Sequence, residues 1–252
     1  MVPRLHQLAR WSVLFKPKLP EPMIQARLNS LVSACVVLFV CGVSDAALSQ
    51  SGLPPECGSL KTHYGPFDYR VDKAKLPIVE NYHFGQAVET LSRRPRDDAA
   101  DLSYTLHAFP NHPRALMALV KLGERERRDR VGGLPYAVRC FVTRAEIFAP
   151  EDSMVKLISG LYYLKQGQKK SAIERLEEAD RLGSTNPNLY YNLGLAYLEV
   201  GEKEKALENA HKAYAAGFPL PGLMNRLKRA GAWRDAPPKP APKSPPKTSS
   251  DS

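Results

Sequence analysis

The sequence lacks the motifs by which catalytic chemistry is most often recognised. Gly132-Gly133 is not part of a G-x-x-x-x-G-K phosphate loop. His107 and His112 do not have metal-site spacing, since Pro110 lies between them and would interrupt a helix. No Ser–His–Asp, Cys–His or paired-carboxylate arrangement occurs at motif spacing. These absences predict no catalytic, cofactor or metal residues, unless a site is assembled from residues that meet only in space.

Long hydrophobic runs are also missing. The main apolar run, Leu31 to Val43, falls short of the roughly 20 residues that a membrane span needs. Arg27 precedes the run, and Ser44-Asp45-Ala46 has the small-x-small pattern found before a signal-peptidase cut. We therefore predict a signal region over residues 1–49 and export to the periplasm. The alternative is an uncleaved anchor over residues 28–48, which would hold the protein at the inner membrane facing the periplasm.

The start of the chain is unusual for a signal region. Residues 1–22 are basic, contain proline and are too long for an ordinary leader, whereas Met23 begins the compact basic sequence MIQAR. We predict that translation begins at Met23 and that residues 1–22 are a mis-assigned start.

Cysteine is scarce, with four in the chain. Cys35 and Cys41 would leave with the signal region. Cys57 and Cys140 remain as an even pair, which in an exported protein predicts a disulfide. This bridge would tie the segment around Cys57 to the helical region around Cys140. The alternative is two unrelated buried thiols.

Neither sign of charge forms long blocks. The chain has 36 Lys and Arg against 26 Asp and Glu, a formal net charge of +10, and both signs are mixed along the sequence. This mixture is typical of a solvated helical surface and predicts no nucleic-acid partner. The basic bias leaves open a weak contact with an anionic membrane surface.

What the sequence does contain is one pattern twice, 34 residues apart. The two copies are Gly160, Tyr163, Ala172, Ala179 and Gly194, Tyr197, Ala206, Ala213. A small residue, an aromatic residue and two alanines at this period resemble the tetratricopeptide repeat (TPR), a pair of antiparallel helices. The resemblance implies an all-α fold, a TPR-like right-handed superhelix of antiparallel helix pairs with about 2.5–3.5 repeats.

Apolar periodicity predicts where the helices lie. The two clear repeats are predicted as helices 153–166 with 169–182 and 188–198 with 203–216. Further upstream we predict a divergent repeat from helices 113–128 and 134–149 with an insertion at 127–133, and a half repeat at 98–109. The amphipathic segment 220–233 is predicted to cap the end of the stack.

Three sequence strings occur just before the clear repeats. They are YGPFDYR from Tyr64, VENYHF from Val79 and YTLHAFPNHPRAL from Tyr104. The combination resembles a group of exported TPR proteins of proteobacteria over about residues 57–233, and this resemblance implies the fold and the compartment but no activity. We expect Tyr64, Phe67 and Tyr69 to pack against the repeats, on a segment that lies across their groove.

The inner face of the first helices is the candidate binding surface. TPR proteins of the carboxylate-clamp type carry Lys and Asn there, but this chain has mainly apolar residues. The candidate positions are Leu157, Leu161, Leu164, Tyr191, Asn192, Leu195 and Leu198. An apolar face must be covered. We expect it to be filled by the N-terminal segment or the cap helix, with a hydrophobic partner site as the alternative.

These observations predict the organisation and role of the whole chain. The predicted order is a signal region (1–49), an irregular segment (50–97), a TPR domain with its cap helix (98–233) and a disordered Pro/Lys-rich tail (234–252). The predicted function is a non-enzymatic scaffold or adaptor for protein partners in the bacterial envelope, with no cofactor and no small-molecule substrate. The alternatives are an inner-membrane-anchored accessory subunit of an envelope complex and an envelope enzyme with a site assembled in space.

Overall fold

A computed structural model describes residues 52–236. The predictions for the signal region and the start codon, and nearly all of that for the Pro/Lys-rich tail, lie outside the described residues. Across residues 52–236 the regular structure is entirely helical. No helix in this range is both long and apolar enough to cross a membrane.

Ten α-helices lie within the described residues, in addition to single 3₁₀ turns at Pro55–Cys57 and Lys73–Lys75. Numbered in chain order they are α1 (Leu76–His83), α2 (Gln86–Glu89), α3 (Pro95–Ala108), α4 (Pro113–Glu126), α5 (Val138–Phe148), α6 (Ser153–Lys165), α7 (Lys169–Arg181), α8 (Pro187–Glu199), α9 (Lys203–Ala215) and α10 (Gly222–Arg229). The all-helical prediction is therefore confirmed.

The two clear repeats are the pairs α6–α7 and α8–α9, within two residues of the predicted bounds. Local chemistry explains this agreement. The Asp152 carboxylate accepts hydrogen bonds from the backbone N–H groups at the start of α6, and the Asn186 side chain accepts one at the start of α8. Pro187 occupies the first position of α8, where its missing N–H does no harm.

The seam between paired helices is built from small residues. Ala172, Ala179 and Ala206 are fully buried, so the helices approach closely. A Cβ atom added to Gly160 would lie 2.6 Å from Leu176 Cγ, on the paired helix α7. At Gly194 the nearest atom to an added Cβ, 2.5 Å away, is Leu223 Cδ2 of α10. The cap helix α10 therefore comes even closer to Gly194 than the paired helix α9 does.

The upstream repeat is divergent, as predicted, because α4 and α5 are joined by a long connection, residues 127–137. Asp129 shapes this connection: its backbone carbonyl accepts from Val138 N at 2.7 Å, and its carboxylate accepts from Arg139 N and Tyr162 Oη. These bonds start α5 at Val138, four residues later than predicted, while Leu134 is buried in the core. Helix α3 packs against α4 and supplies the half repeat.

The segment predicted as irregular, 50–97, contains two helices, and this corrects the prediction. Helix α1 begins with Leu76-Pro77 and buries Leu76 and Val79, while Ile78 and Tyr82 stay exposed. A helix this short gains little from propensity alone, so its packing against α3 determines its presence.

The predicted disulfide joins Cys57 to Cys140 across a sequence separation of 83 residues. Both cysteines are buried, and Leu53 packs with them. The bridge fastens the 3₁₀ turn Pro55–Cys57 to α5.

The aromatic residues of the first string pack as a group at the N-terminal edge of the stack. Tyr64, Phe67 and Tyr69 lie against a small core of Leu76, Val79, Ala108 and Phe109. Phe67 N donates to Ala108 O at 2.8 Å. Gly65 makes this approach possible, because an added Cβ would lie 2.6 Å from Ala108 O. The aromatic residues thus pack on α1 and the end of α3, and the expected position across the α6–α8 groove is not the one the segment takes.

Candidate functional site

The predicted inner-face residues lie on α6 and α8, the first helices of the two clear repeats. Leu157 is buried, at 2% exposure, and belongs to the core. Leu161, Leu164, Leu195 and Leu198 are half-buried and pack against that core. Four leucines thus present part of their surface along the first helices.

The cap covers the end of this face nearest the C-terminus. The Tyr191 ring stacks on Phe218, with centroids 4.1 Å apart, and Gly222 approaches the Tyr191 hydroxyl so closely that an added Cβ would lie 2.6 Å away. Asn192 Nδ2 donates to Asn188 O of its own helix at 2.8 Å. Tyr191 and Asn192 are therefore engaged within the protein.

The opposite end of the face opens into a cavity of about 300 Å³ between α4 and α6. Met154, which lies one helical turn before Leu157 on the same stripe, forms one wall, and Met117 and Ile158 form others. Lys121 lies at its rim and forms no ion pair within 4 Å with any residue in 52–236, and the Glu89 carboxylate, which also lines the cavity, is paired with Arg114. This cavity has no sequence motif, and its one usable signal is a pair of unbranched, adaptable methionines on neighbouring first helices.

A buried amide connects the first and third strings. Asn111 Oδ1 accepts from Tyr69 N at 2.9 Å, and its Nδ2 donates to Asp68 Oδ1 at 2.8 Å and to Asp152 Oδ2 at 3.0 Å. The Arg70 guanidinium pairs with Asp68 at 2.6 Å. The hydrogen bonds that Arg70 and Asn111 donate to Asp68 hold the pKa of the Asp68 carboxyl well below its usual range.

His112 follows Asn111 and is fully buried. Its Nδ1 accepts from Ala115 N at 3.2 Å and caps α4, while Nε2 donates to Glu80 Oε1 of α1 at 3.0 Å. Burial lowers the pKa of His112, and the bond to Glu80 only partly opposes this. Burial also lowers the pKa of His107.

We expect acidification to destabilise the protein between about pH 7 and 5. Each histidine has a lower pKa in the folded protein than in the unfolded chain, where it is near 6.5. Its contribution to stability is therefore fully present above pH 6.5 and is lost as the pH falls below that value. Each such histidine contributes a slope of up to about 1.4 kcal/mol per pH unit. Urea unfolding across this range should show a shallower slope for His112→Gln than for wild type. His63→Gln, at an exposed position, should match wild type, and equal slopes for all three proteins would contradict the assignment.

A second cavity, of about 360 Å³, lies beside His107. It is lined by Ser59, Lys61, Thr62, His63, Tyr64, Tyr104, His107, Ala108 and Tyr136. No carboxylate is among these residues, so the described chain forms no acid–base pair of a carboxylate with a histidine there. In residues 52–236, no group of three or more His, Cys, Asp or Glu could hold a metal ion.

Comparisons with known proteins cover the family, the curated proteins and the solved structures. Residues 160–201 match the family model described as TPR repeat. Among solved structures, six chains match, and one titled "Crystal structure of MamA" has 19% sequence identity, covers 65% of this chain and 86% of its own, and has a TM-score of 0.43. No curated protein gives a significant match.

Stacked antiparallel helix pairs define the class of helical-repeat proteins. The 34-residue spacing and the match over residues 160–201 narrow the class: this part of the chain contains a TPR repeat. Repeats of this kind support a role as a protein–protein interaction scaffold.

Proposed function

We propose that this protein is a periplasmic adaptor, without enzymatic activity, that binds a protein partner along the inner face of α4 and α6. The observation that carries the proposal is the cavity at Met117, Met154 and Ile158. Further along α6, Leu161 and Leu164 are half-buried and expose part of their surface. No segment of residues 52–236 fills this cavity. A methionine-lined depression beside a leucine stripe suits a large apolar side chain of a partner.

The rim of the cavity indicates the charge of that partner. Arg114 is held by Glu89 and Glu80 of the N-terminal helices, so its charge is largely compensated. Lys121 is exposed and has no ion-pair partner among the described residues. We therefore propose a partner segment with a large apolar residue and a nearby acidic residue.

The disulfide supports export, since such bridges persist in oxidising compartments. An anchored form remains the alternative for the N-terminal region.

Site-specific photo-crosslinking in intact cells tests the proposal. A crosslinking residue in place of Leu161 should give an adduct with one partner protein in the periplasmic fraction, and the same residue in place of Lys170, exposed on α7, should give none. The substitution Lys121→Glu should lower the yield of the adduct by about tenfold, as expected for the loss of one ion pair and its replacement by repulsion. Lys170→Glu is the matched control.

Two outcomes would exclude this function. One is that crosslinks arise equally from both positions, which would indicate non-specific encounter. The other is that Leu161→Glu unfolds the protein while Lys121→Glu leaves the adduct unchanged, because the face would then be a filled core and not a binding surface.

A further inference from the structure

The cavity beside His107 is formed where the first and third strings meet. The hydrogen bond from Phe67 N to Ala108 O fixes the chain at Tyr64 against the end of α3. Tyr136 closes the other side, from the connection that precedes α5. Three segments that are far apart in sequence therefore build one pocket, and the disulfide at Cys57 secures the first of them.

The pocket carries the positive charge of Lys61 without an acidic counterpart. Lys61 lines it and forms no ion pair with other described residues. Behind it, the fully buried Arg144 donates from Nη1 to Ser59 O at 2.6 Å and to Cys57 O at 3.2 Å. No carboxylate of residues 52–236 pairs with Arg144, and its Nε and Nη2 are left without partners. Uncompensated buried charge of this kind favours an anion nearby.

The tyrosine hydroxyls of the pocket are available for hydrogen bonds. Those of Tyr64, Tyr104 and Tyr136 make none with other described residues. In the repeats, by contrast, several tyrosine hydroxyls are already bonded, as Tyr162 is to Asp129 and Tyr190 to Ser184 O. The pocket tyrosines therefore offer free hydroxyl donors. One face of the Tyr104 ring stacks on His83, with centroids 3.8 Å apart, and the partly exposed residue offers the other face.

His107 adds one acceptor of defined orientation. Its Nδ1–H donates to Ser103 O at 2.7 Å, which leaves the lone pair on Nε2. Nε2 has no partner among the residues that the structure describes. The ring is held in place by Phe141, with centroids 5.6 Å apart. A ligand that reaches Nε2 must therefore donate a hydrogen bond to it.

We propose that this pocket binds a small organic acid that carries a hydroxyl or N–H donor and an aromatic or otherwise flat apolar face. The carboxylate lies near Lys61 and the tyrosine hydroxyls, the donor meets His107 Nε2, and the flat face lies against the Tyr104 and Tyr136 rings. The volume of about 360 Å³ is at the small end of ligand pockets. This site goes beyond the adaptor function, and the ligand is proposed as a bound molecule and not as a substrate.

Calorimetric titration of the exported protein with three matched probes tests the proposal. We expect 4-hydroxybenzoate to bind. Benzoate lacks the donor and 4-hydroxybenzamide lacks the charge, so each should bind at least about fivefold more weakly, the effect of one lost hydrogen bond or ion pair.

Variants locate the site. Lys61→Met should lower the affinity for 4-hydroxybenzoate by about tenfold, as expected for the loss of a charged hydrogen bond. Tyr104→Phe should lower this affinity by about fivefold, as expected for the loss of a neutral one. Lys170→Met, at an exposed lysine on α7, should leave the affinity unchanged. Both test residues are exposed, so thermal melts should match wild type.

The proposal is overturned if 4-hydroxybenzoate does not bind, or if the three probes bind equally. It is also overturned if Lys61→Met and Tyr104→Phe bind 4-hydroxybenzoate as tightly as wild type does. None of these outcomes bears on the inner face of α4 and α6, so the adaptor function is tested separately.

Discussion

Replacing Cys57 and Cys140 together by alanine is expected to destabilise the protein by about 4 kcal/mol. The bridge closes a loop with a sequence separation of 83 residues, so its loss restores much conformational freedom to the unfolded chain. The two side chains are 2% and 1% exposed, so alanine introduces no new polar group into the core. For a domain of this size, the melting temperature should fall by roughly 10 °C.

Thermal unfolding followed by circular dichroism measures this effect. A thiol reductant should lower the melting temperature of wild type to that of the double variant and leave the variant itself unchanged. The same melting temperature for wild type and variant, both without reductant, would show that the bridge does not form in the folded protein.

The repeats could be predicted from the sequence because their information is local. The period of 34 residues, the Asn186-Pro187 start and the glycines that end the helices are all readable along the chain. Gly183 and Gly217 have positive φ angles of 79° and 83°, which only glycine adopts without cost. The pairing of Cys57 with Cys140 followed from counting cysteines, and the structure confirms it.

Tertiary contacts determine what the sequence did not reveal. Helix α1 is short and has a proline at its second position. Its packing against α3 explains why the helix forms better than its local sequence does. The sequence predicts the inner-face leucines of α6 and α8 but not the cavity at Met117 and Met154. The connection 127–137 breaks the 34-residue register, so α4 could not be aligned with α6. The His107 pocket combines three distant segments and leaves no motif.

The buried position of Asn111 leads to the second large effect. Asn111→Ala is expected to lower the free energy of unfolding by about 3 kcal/mol. It removes two hydrogen bonds that the amide donates to carboxylates and one that it accepts from the backbone N–H of Tyr69. It also leaves Asp68 and Asp152 close together, with Arg70 as the cation between them: Arg70 Nε lies 3.7 Å from Asp152 Oδ2. Chemical denaturation should show this loss, and Asn81→Ala, at an exposed position on α1, should change stability by less than about 0.5 kcal/mol.

The variant Asn111→Asp separates the electrostatic part of this effect from the lost packing. It preserves the shape of the side chain but places a third carboxylate beside Asp68 and Asp152, and repulsion should raise the pKa of the new group. Its destabilisation should therefore be greatest near neutral pH and should shrink as the pH falls toward 4, because protonation removes the charge and restores a donor. A pH-independent loss, equal to that of Asn111→Ala, would mean that Asn111 stabilises the fold through packing alone. The acid-reversible result would instead show that this amide holds the N-terminal strings and the start of α6 together by screening two carboxylates that would otherwise repel.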